Sequence, residues 1–379
     1  MKIKNITVLG SGIMGHGIAQ VAAMSGYEVI LRDIDKKFLD KAMDNIKWSL
    51  KKLVEKHKLT KQEFENIYKK IIPTTDLNNA VKKCDLIIEA VPEMMNLKQK
   101  VYSELEKITD NHVIFASNTS TLPITEISEI TDRSDKVIGI HFFNPPQLMK
   151  LVEIIPGNKT DTNITKTITD FVLSLGKHPI LCKKDVPGFI VNRLFIPMIH
   201  EACHVIERQK SSVLEVDSAV KFNLNFPMGV FELADFTGLD VIHKATSEMQ
   251  SRDKKIINKN TRIENLFQKN YLGRKTGKGF YEYDQNKYTR IKLSEKLAKN
   301  CNVIQIIANI LNNMSWLVTN KVSNIEEIET AIKLGLGVKT PILQTAKQYG
   351  IKNIINELNK LCSKYGDIYK PDPFLHKLS

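Results

Sequence analysis

The chain has 379 residues, more than one ordinary core holds, and this length predicts two or three domains. Its hydrophobic fraction is 42%, and no stretch approaches twenty uninterrupted apolar residues, so we expect neither a membrane span nor a signal peptide before the first strand. The net charge of +13 is spread over the chain without a stacked aromatic motif. This pattern favours an anionic small molecule over nucleic acid as the partner, although a lysine-rich surface alone would also explain much of the charge.

The five cysteines are scattered, odd in number and without a C-x-x-C pair, so neither a zinc site nor a disulfide framework is indicated. They are Cys84, Cys182, Cys203, Cys301 and Cys362. We expect them to be buried apolar residues of a cytoplasmic protein without a bound metal.

A strand, a glycine turn, a helix and a second strand follow one another from residue 5 to residue 33. Glycines 10, 12 and 15 form the pattern G-x-G-x-x-G, which suits a tight turn, a backbone approach to pyrophosphate and close helix packing, respectively. Asp33 lies eighteen residues after Gly15, where an acid accepts hydrogen bonds from a ribose hydroxyl. The pattern predicts NAD binding. Arg32 beside the acid leaves some use of NADP open.

Apolar runs at 5–9, 27–32, 85–91, 112–116 and 136–140 predict the strands of an α/β domain over residues 1–185. Residues 151–157 and 171–182 continue the alternation of strand and helix. Between the second strand and residue 85, residues 36–70 have the pattern of a lysine-rich helical hairpin that stands out from the sheet. The hairpin is either a phosphate clamp or a solvated helix pair, and composition leaves both interpretations open.

Beyond Pro187 and Gly188 the pattern is helical, and it repeats. Residues 213–240 align without a gap against residues 325–352, with their apolar positions in phase at an offset of 112. We predict two similar helical modules, at 186–285 and 298–379.

Polar side chains gather where the predicted strands end. Ser120 follows one strand and His141 ends the next, so both are expected at the edge of the sheet where ligands bind. Glu153 lies in an apolar strand, and a buried carboxylate needs a partner such as the ring N–H of His141. A histidine held in this way is suited to act as a base toward a hydroxyl group. Ser120 and Asn192 are candidates to donate hydrogen bonds to a substrate oxygen. Each residue alone is more often structural, and the combination carries the inference.

The chain resembles the 3-hydroxyacyl-CoA dehydrogenases over residues 1 to about 285. The matching segments are VLGSGIMGHGIAQ, DLIIEAVPE, ASNTSTL, HFFNPP, MKLVEI, KDVPGFIVNR, NFPMGVFELADFTGLD and GRKTGKGFYEY. The resemblance implies that His141 is the catalytic base, that Glu153 is its partner, and that Ser120 and Asn192 hold the substrate oxygen.

The same resemblance implies two sets of binding residues. The expected cofactor contacts, with Asn118 added from the same loop as Ser120, are Gly10, Gly12, Gly15, Asp33, Glu93, Lys98, Asn118, Ser120, Asn144 and Lys275. The expected coenzyme A contacts are Ser49, Lys56 and Ser120. A coenzyme A contact in the hairpin favours the phosphate-clamp interpretation.

The expected reaction is the reversible oxidation of a short-chain (S)-3-hydroxyacyl-CoA by NAD. Two alternatives remain, a related dehydrogenase of a free sugar acid such as gulonate and a non-catalytic, crystallin-like relative. The second helical module departs from the short members of the family and lacks the catalytic Asn, since Ile304 lies opposite Asn192. We expect this module to replace a dimer partner, which would leave the protein a monomer, although a homo-oligomer is not excluded.

Overall fold

A computed structural model describes residues 3–284 and 290–378. The expected domain limits at residues 1, 285 and 379 lie outside the described residues. The chain divides into two compact units, Met1–Val186 and Pro187–Ser379. Each unit has its own hydrophobic core and its own set of elements.

The first unit is an α/β domain. Its strands are β1 (Asn5–Leu9), β2 (Glu28–Arg32), β3 (Ile71–Thr74), β4 (Leu86–Glu89), β5 (Ile114–Ser117), β6 (Val137–Phe142), β7 (Leu151–Pro156) and β8 (His178–Leu181). Its helices are α1 (Ile13–Met24), α2 (Lys36–Glu55), α3 (Lys61–Lys69), α4 (Leu77–Val81), α5 (Met95–Ile108), α6 (Ile124–Ser128) and α7 (Thr162–Ser174). A 3₁₀ turn, Ser134–Lys136, precedes β6.

The eight strands form one sheet in the order β3-β2-β1-β4-β5-β6-β7-β8. Neighbouring strands run parallel except for the β6–β7 pair, which is antiparallel. The order reverses between β1 and β4, and ligands of open α/β sheets bind at such a switch point. The predicted α/β domain with a dinucleotide-binding order is therefore confirmed.

Strand β3 is absent from the sequence prediction, and its presence changes the meaning of the hairpin. The helices α2 and α3 connect β2 to the edge strand β3, so they form the crossover of a βαβ unit. The hairpin also does not stand clear of the domain. One face of α2 is buried at Leu39, Ala42, Ile46 and Leu50, and α2 contacts α1, α3 and β3. Apolar residues at these helical intervals supply the burial that holds the hairpin in place.

The second unit is helical. Its helices are α8 (Val191–Gln209), α9 (Val213–Asn223), α10 (Val230–Thr237), α11 (Leu239–Arg252), α12 (Thr261–Gln268), α13 (Glu295–Ala298), α14 (Ile304–Thr319), α15 (Ile325–Gly335), α16 (Ile342–Tyr349) and α17 (Ile351–Tyr365). Three 3₁₀ turns, Arg274–Thr276, Asp367–Tyr369 and Pro373–Lys377, complete it.

The predicted repeat is present in this unit. Helices α15, α16 and α17 begin 112 residues after α9, α10 and α11, respectively. A buried contact repeats as well. The Asp217 carboxylate accepts hydrogen bonds from the backbone N–H groups of Phe231 and Glu232 at 2.8 and 2.9 Å. Glu329, 112 residues later, accepts from Ile342 and Leu343 at 2.9 and 2.7 Å. In both modules a carboxylate therefore caps the start of the next helix.

Across residues 3–284 and 290–378, the longest helices lack the continuous apolar length that a membrane crossing requires.

Candidate active site

The glycine loop after β1 has the geometry of a dinucleotide turn. Gly10 has a φ of +91°, and a Cβ there would lie 2.6 Å from the Ala90 carbonyl oxygen. A Cβ on Gly15 would lie 1.7 Å from the Gly10 carbonyl oxygen, so only glycine lets α1 pack this closely on the loop. A Cβ on Gly12, by contrast, would meet no atom within 4 Å. The open space at Gly12, at the N-terminus of α1, fits the approach of a pyrophosphate group.

Asp33 follows β2 and contacts the glycine loop. Its Oδ2 accepts hydrogen bonds from the backbone N–H of Ser11 at 2.7 Å and from the Ser11 hydroxyl at 2.6 Å. Its Oδ1 accepts from the backbone N–H of Ile34 at 2.7 Å. The carboxylate is therefore fixed beside the loop, at the end of the strand where a ribose hydroxyl would bind.

His141 and Glu153 face each other across the antiparallel β6–β7 pair. They are directly opposite in the register, and His141 Nδ1 lies 2.7 Å from Glu153 Oε2. Glu153 is fully buried and His141 is 7% exposed. An ionised carboxylate only accepts hydrogen bonds, so Nδ1 carries the proton in this contact and the lone pair lies on Nε2. The arrangement gives an oriented imidazole with Nε2 as its basic nitrogen.

The loop after β5 is held by the Glu93 carboxylate. Glu93 Oε1 accepts hydrogen bonds from Thr119 Oγ1 at 2.7 Å, from the backbone N–H of Ser120 at 2.8 Å and from Ser120 Oγ at 3.2 Å. Burial acts against the charge of Glu93, but Lys98 and the hydrogen bonds from Thr119 and Ser120 outweigh it and lower the pKa of this carboxyl group. Glu93 therefore positions Ser120 as an ionised group.

Beneath this loop lies an ion pair that the sequence analysis missed. Lys98 Nζ lies 2.7 and 2.9 Å from the two oxygens of Glu89, and 3.2 Å from Glu93 Oε2. Glu89 is fully buried and Lys98 is 1% exposed. Burial opposes the ammonium charge, but the two carboxylates outweigh it and raise the pKa of Lys98. Ser117 Oγ and the backbone N–H of Val91 also donate to Glu89, at 2.7 and 2.8 Å.

Asn118 joins this loop to the strand that carries His141. Its Oδ1 accepts a hydrogen bond from the backbone N–H of Phe142 at 2.9 Å, and its own N–H donates to the Glu89 carbonyl oxygen at 2.8 Å. The loop and the end of β6 are therefore tied together. Asn144, two residues beyond β6, is exposed.

Two predicted site residues belong to the second unit and are described with it. Asn192 is the second residue of α8 and is half-buried. Lys275 lies in the 3₁₀ turn Arg274–Thr276, where its ammonium pairs with the Asp240 carboxylate.

Ser49 lies in α2, and Lys56, seven residues later, is the cap residue directly after the end of this helix. Seven residues are two helical turns, so both side chains lie along the same face. Ser49 is half-buried and Lys56 is exposed. By the same spacing Ser49 lies two turns after the buried Ala42, so this face borders the buried face of α2, where it presents a hydroxyl and an ammonium group.

In the part of the chain that the structure describes, no group of three His, Cys, Asp or Glu side chains is arranged to hold a metal ion. All five cysteines lie in this part, and all are free thiols.

The sheet order, the glycine loop and the oriented histidine are the features expected of an NAD-dependent dehydrogenase. The family model described as "3-hydroxyacyl-CoA dehydrogenase, NAD binding domain" matches residues 5–186. The model of the same family's C-terminal domain matches twice, at residues 188–283 and 303–379. The chain therefore belongs to the 3-hydroxyacyl-CoA dehydrogenase family, uses NAD, and is an oxidoreductase of 3-hydroxyacyl-CoA. The second match confirms the predicted duplication.

Named relatives agree with this assignment. The rat mitochondrial hydroxyacyl-coenzyme A dehydrogenase is 41% identical over 288 residues, which cover 74% of this chain and 91% of that protein. A probable 3-hydroxybutyryl-CoA dehydrogenase of Deinococcus radiodurans is 39% identical over 283 residues, covering 73% and 99%. A crystal structure of 3-hydroxybutyryl-CoA dehydrogenase from Escherichia coli matches 100% of this chain and 98% of its own, with a TM-score of 0.88 and 26% identity.

Two contacts of the site escaped the sequence analysis, although a signal for one was present. Glu89 is an acid inside the apolar run DLIIEAV, as Glu153 is in MKLVEI, and the argument that a buried acid needs a partner applies to both. Ser11 carried no such signal, because a serine between two glycines is common in any loop.

Breaking the Glu89–Lys98 pair should destabilise the first unit. We expect Glu89→Gln to lower the free energy of unfolding by about 3 kcal/mol, since it leaves a buried ammonium short of negative charge. The double variant Glu89→Gln/Lys98→Met should lose less than the sum of the single variants in urea titrations. The control is Asp170→Asn in the exposed Lys166–Asp170 pair, which should cost less than about 0.5 kcal/mol. Equal losses for Glu89→Gln and the control would contradict this interpretation.

Proposed function

We propose that this enzyme oxidises short-chain (S)-3-hydroxyacyl-CoA to 3-oxoacyl-CoA, reversibly, with His141 as the base and acid. The observation that carries the proposal is the 2.7 Å contact between His141 Nδ1 and the buried Glu153 carboxylate. Relatives named 3-hydroxybutyryl-CoA dehydrogenase support a four-carbon acyl group, and such a reaction belongs to fatty acid or butanoate metabolism.

The proposed chemistry follows from the orientation of the imidazole. In oxidation, His141 Nε2 takes the proton of the substrate's 3-hydroxyl group, and in reduction it returns this proton to the 3-oxo group. Glu153 keeps Nδ1 protonated and stabilises the positive charge that the ring gains. NAD, when bound, supplies the hydride acceptor. Because Glu153 is fully buried, water does not compete for its contact with the ring.

Ser120 and Asn192 are proposed to donate hydrogen bonds to the substrate oxygen that changes between hydroxyl and carbonyl. Ser120 is suited to this role because Glu93 fixes its backbone and hydroxyl group. Asn192 carries an amide donor in the first turn of α8. Donors placed where negative charge develops lower the barrier of such a reaction.

A substitution at His141 tests the mechanism. We expect His141→Gln to reduce the turnover of NADH with acetoacetyl-CoA by about 10²- to 10⁴-fold, because the proton transfer is lost. Binding of NADH, measured by its fluorescence, should stay within about twofold, since the glycine loop is unchanged. Near-normal turnover would show that His141 is not the base. Wild-type protein that turns over gulonate but not acetoacetyl-CoA, or neither substrate, would favour one of the two alternative functions.

The hairpin α2–α3 is proposed to bind the phosphate groups of coenzyme A. Residues 36–70 hold eleven lysines against five acidic residues, which makes six of the thirteen net positive charges of the chain. The buried face of α2 fixes the helix, so the half-buried Ser49 at the border of that face and the exposed Lys56 are presented on a rigid support. A free hydroxy acid has no phosphate groups with which these positive charges could pair.

Lys56 gives a prediction with a matched control on the same helix. We expect Lys56→Ala to raise KM for acetoacetyl-CoA about tenfold with little change in kcat, because it removes a contact to a part of the substrate that does not react. Acetoacetyl-pantetheine, which lacks the nucleotide, should show no such change. Lys51 is exposed on the opposite side of α2, and Lys51→Ala should leave KM within about twofold. Equal effects of the two variants would indicate general charge attraction rather than a binding site.

The second module is proposed to act as an internal substitute for a dimer partner. Its first helix, α14, packs against α8 of the first module, and both modules match the same family domain. The proposal predicts a monomer of 43.1 kDa in light scattering at micromolar concentration. A stable homodimer would show that the second module has another role.

The cytoplasm is proposed as the location. The five free thiols, four of them buried, suit a reducing compartment.

A further inference from the structure

The residue that follows Asn192 is held by an aromatic ring from the second module. Arg193 is 3% exposed, and its guanidinium carbon lies 3.3 Å from the ring centroid of Trp316. Trp316 lies in α14, more than 120 positions further along the chain. The carboxylate of Asp253, the residue that follows α11, lies 4.0 Å from Arg193 Nη2. A guanidinium stacked on tryptophan and shielded from water is a strong cation–π contact.

This contact is placed at the start of α8, where a side-chain cap is absent. The residue before the helix, Ile190, provides no side-chain hydrogen bond to the first turn. The chain enters the helix through two residues in the left-handed region, Gly188 and Phe189, with φ of +76° and +51°. The backbone N–H of Arg193 donates to the Gly188 carbonyl oxygen at 2.9 Å, and the stack of Arg193 on Trp316 adds a side-chain contact to the same turn.

We propose that Trp316 is a positioning residue for Asn192, supplied by the second module. The module lacks a catalytic Asn of its own, since Ile304 stands at the equivalent place. Its aromatic ring holds Arg193, and Arg193 fixes the turn that carries the Asn192 amide. The inference rests on the role proposed above for Asn192. It gives the second module a part in turnover, in addition to its proposed role as a substitute for a dimer partner.

A second contact between the modules, at the far end of α8, provides the control. Arg208 Nη2 donates to Tyr369 Oη at 2.8 Å, and Tyr369 Oη donates to the buried Glu201 carboxylate at 2.7 Å. Arg208 lies fifteen residues after Arg193, which corresponds to about 22 Å along the helix. Both contacts join the same two modules, but only one is next to Asn192.

The test compares Trp316→Leu, Trp316→Phe and Tyr369→Phe in the full chain. Leucine keeps apolar volume but offers no aromatic face, so we expect kcat with acetoacetyl-CoA to fall at least about tenfold, as for a small displacement of a reacting group. Phenylalanine should restore kcat to within about threefold of wild type, because it keeps a cation–π face. Tyr369→Phe should lower the melting temperature yet leave kcat unchanged.

A double variant shows whether Trp316 acts through Asn192. Once Asn192→Ala has removed the amide, adding Trp316→Leu should lower kcat no further, whereas an independent effect would multiply. Arg193→Lys, which keeps the charge but loses the planar stack, should reproduce the loss of kcat and covers the case in which Trp316→Leu does not fold.

Three results would overturn the inference: unchanged kcat in Trp316→Leu, an equal kcat loss in Tyr369→Phe, or multiplicative losses with Asn192→Ala. A wild-type protein inactive on acetoacetyl-CoA would instead refute the proposed function, and the inference with it. A wild type that is active while Asn192→Ala is also fully active would refute the role of Asn192 alone.

Discussion

The contact between His141 and Glu153 is the interaction on which the rest of the site depends. It exists because β7 runs antiparallel to β6 in a sheet that is otherwise parallel, and the register sets residues 141 and 153 directly opposite each other. A carboxylate with no exposed surface is too costly to keep charged without a partner, and the imidazole N–H is that partner. An ionised Glu153 accepts this hydrogen bond from Nδ1–H, which leaves the lone pair of the neutral ring on Nε2. The antiparallel direction of β7 therefore both buries the Glu153 carboxylate and orients the imidazole of His141.

The same type of contact, a buried carboxylate paired with a nitrogen group, occurs at three places that the structure describes. A fully buried carboxylate meets a nitrogen group where a loop or helix has to be held: Glu153 with His141, Glu89 with Lys98, and Glu201 with Arg208. The first orients the imidazole of the proposed base, and the second lies beneath the loop of Ser120. The third lies within α8, and Tyr369 of the second module contacts both of its members. Buried pairs of this kind contribute little net stability, but losing one partner is costly, so they specify a single arrangement of the chain.

Much of the fold could be predicted from the sequence, because each element that was predicted correctly has a signal in its own segment of the chain. The glycine loop requires its glycines, the strands are apolar on both faces, and the repeat keeps its apolar phase over 28 residues. Strand β3 was missed because IIPT is four residues long, contains a proline and lies at the edge of the sheet. The packed hairpin, the Ser11–Asp33 contact and the stack of Arg193 on Trp316 were missed for another reason. They depend on which surfaces meet in three dimensions, and spacing along the chain does not encode that.

The most direct test of the central claim is the protonation state of the His141 ring, read by ¹⁵N NMR of the labelled protein with NAD bound. The chain has nine histidines, so the signal is assigned by its absence from the His141→Gln spectrum. We predict that the neutral form of the ring carries its proton on Nδ1 and its lone pair on Nε2, and that Glu153→Gln gives a mixture of both tautomers. A proton on Nε2 in the wild-type protein would contradict the account, because the ring would then have no lone pair to offer the substrate.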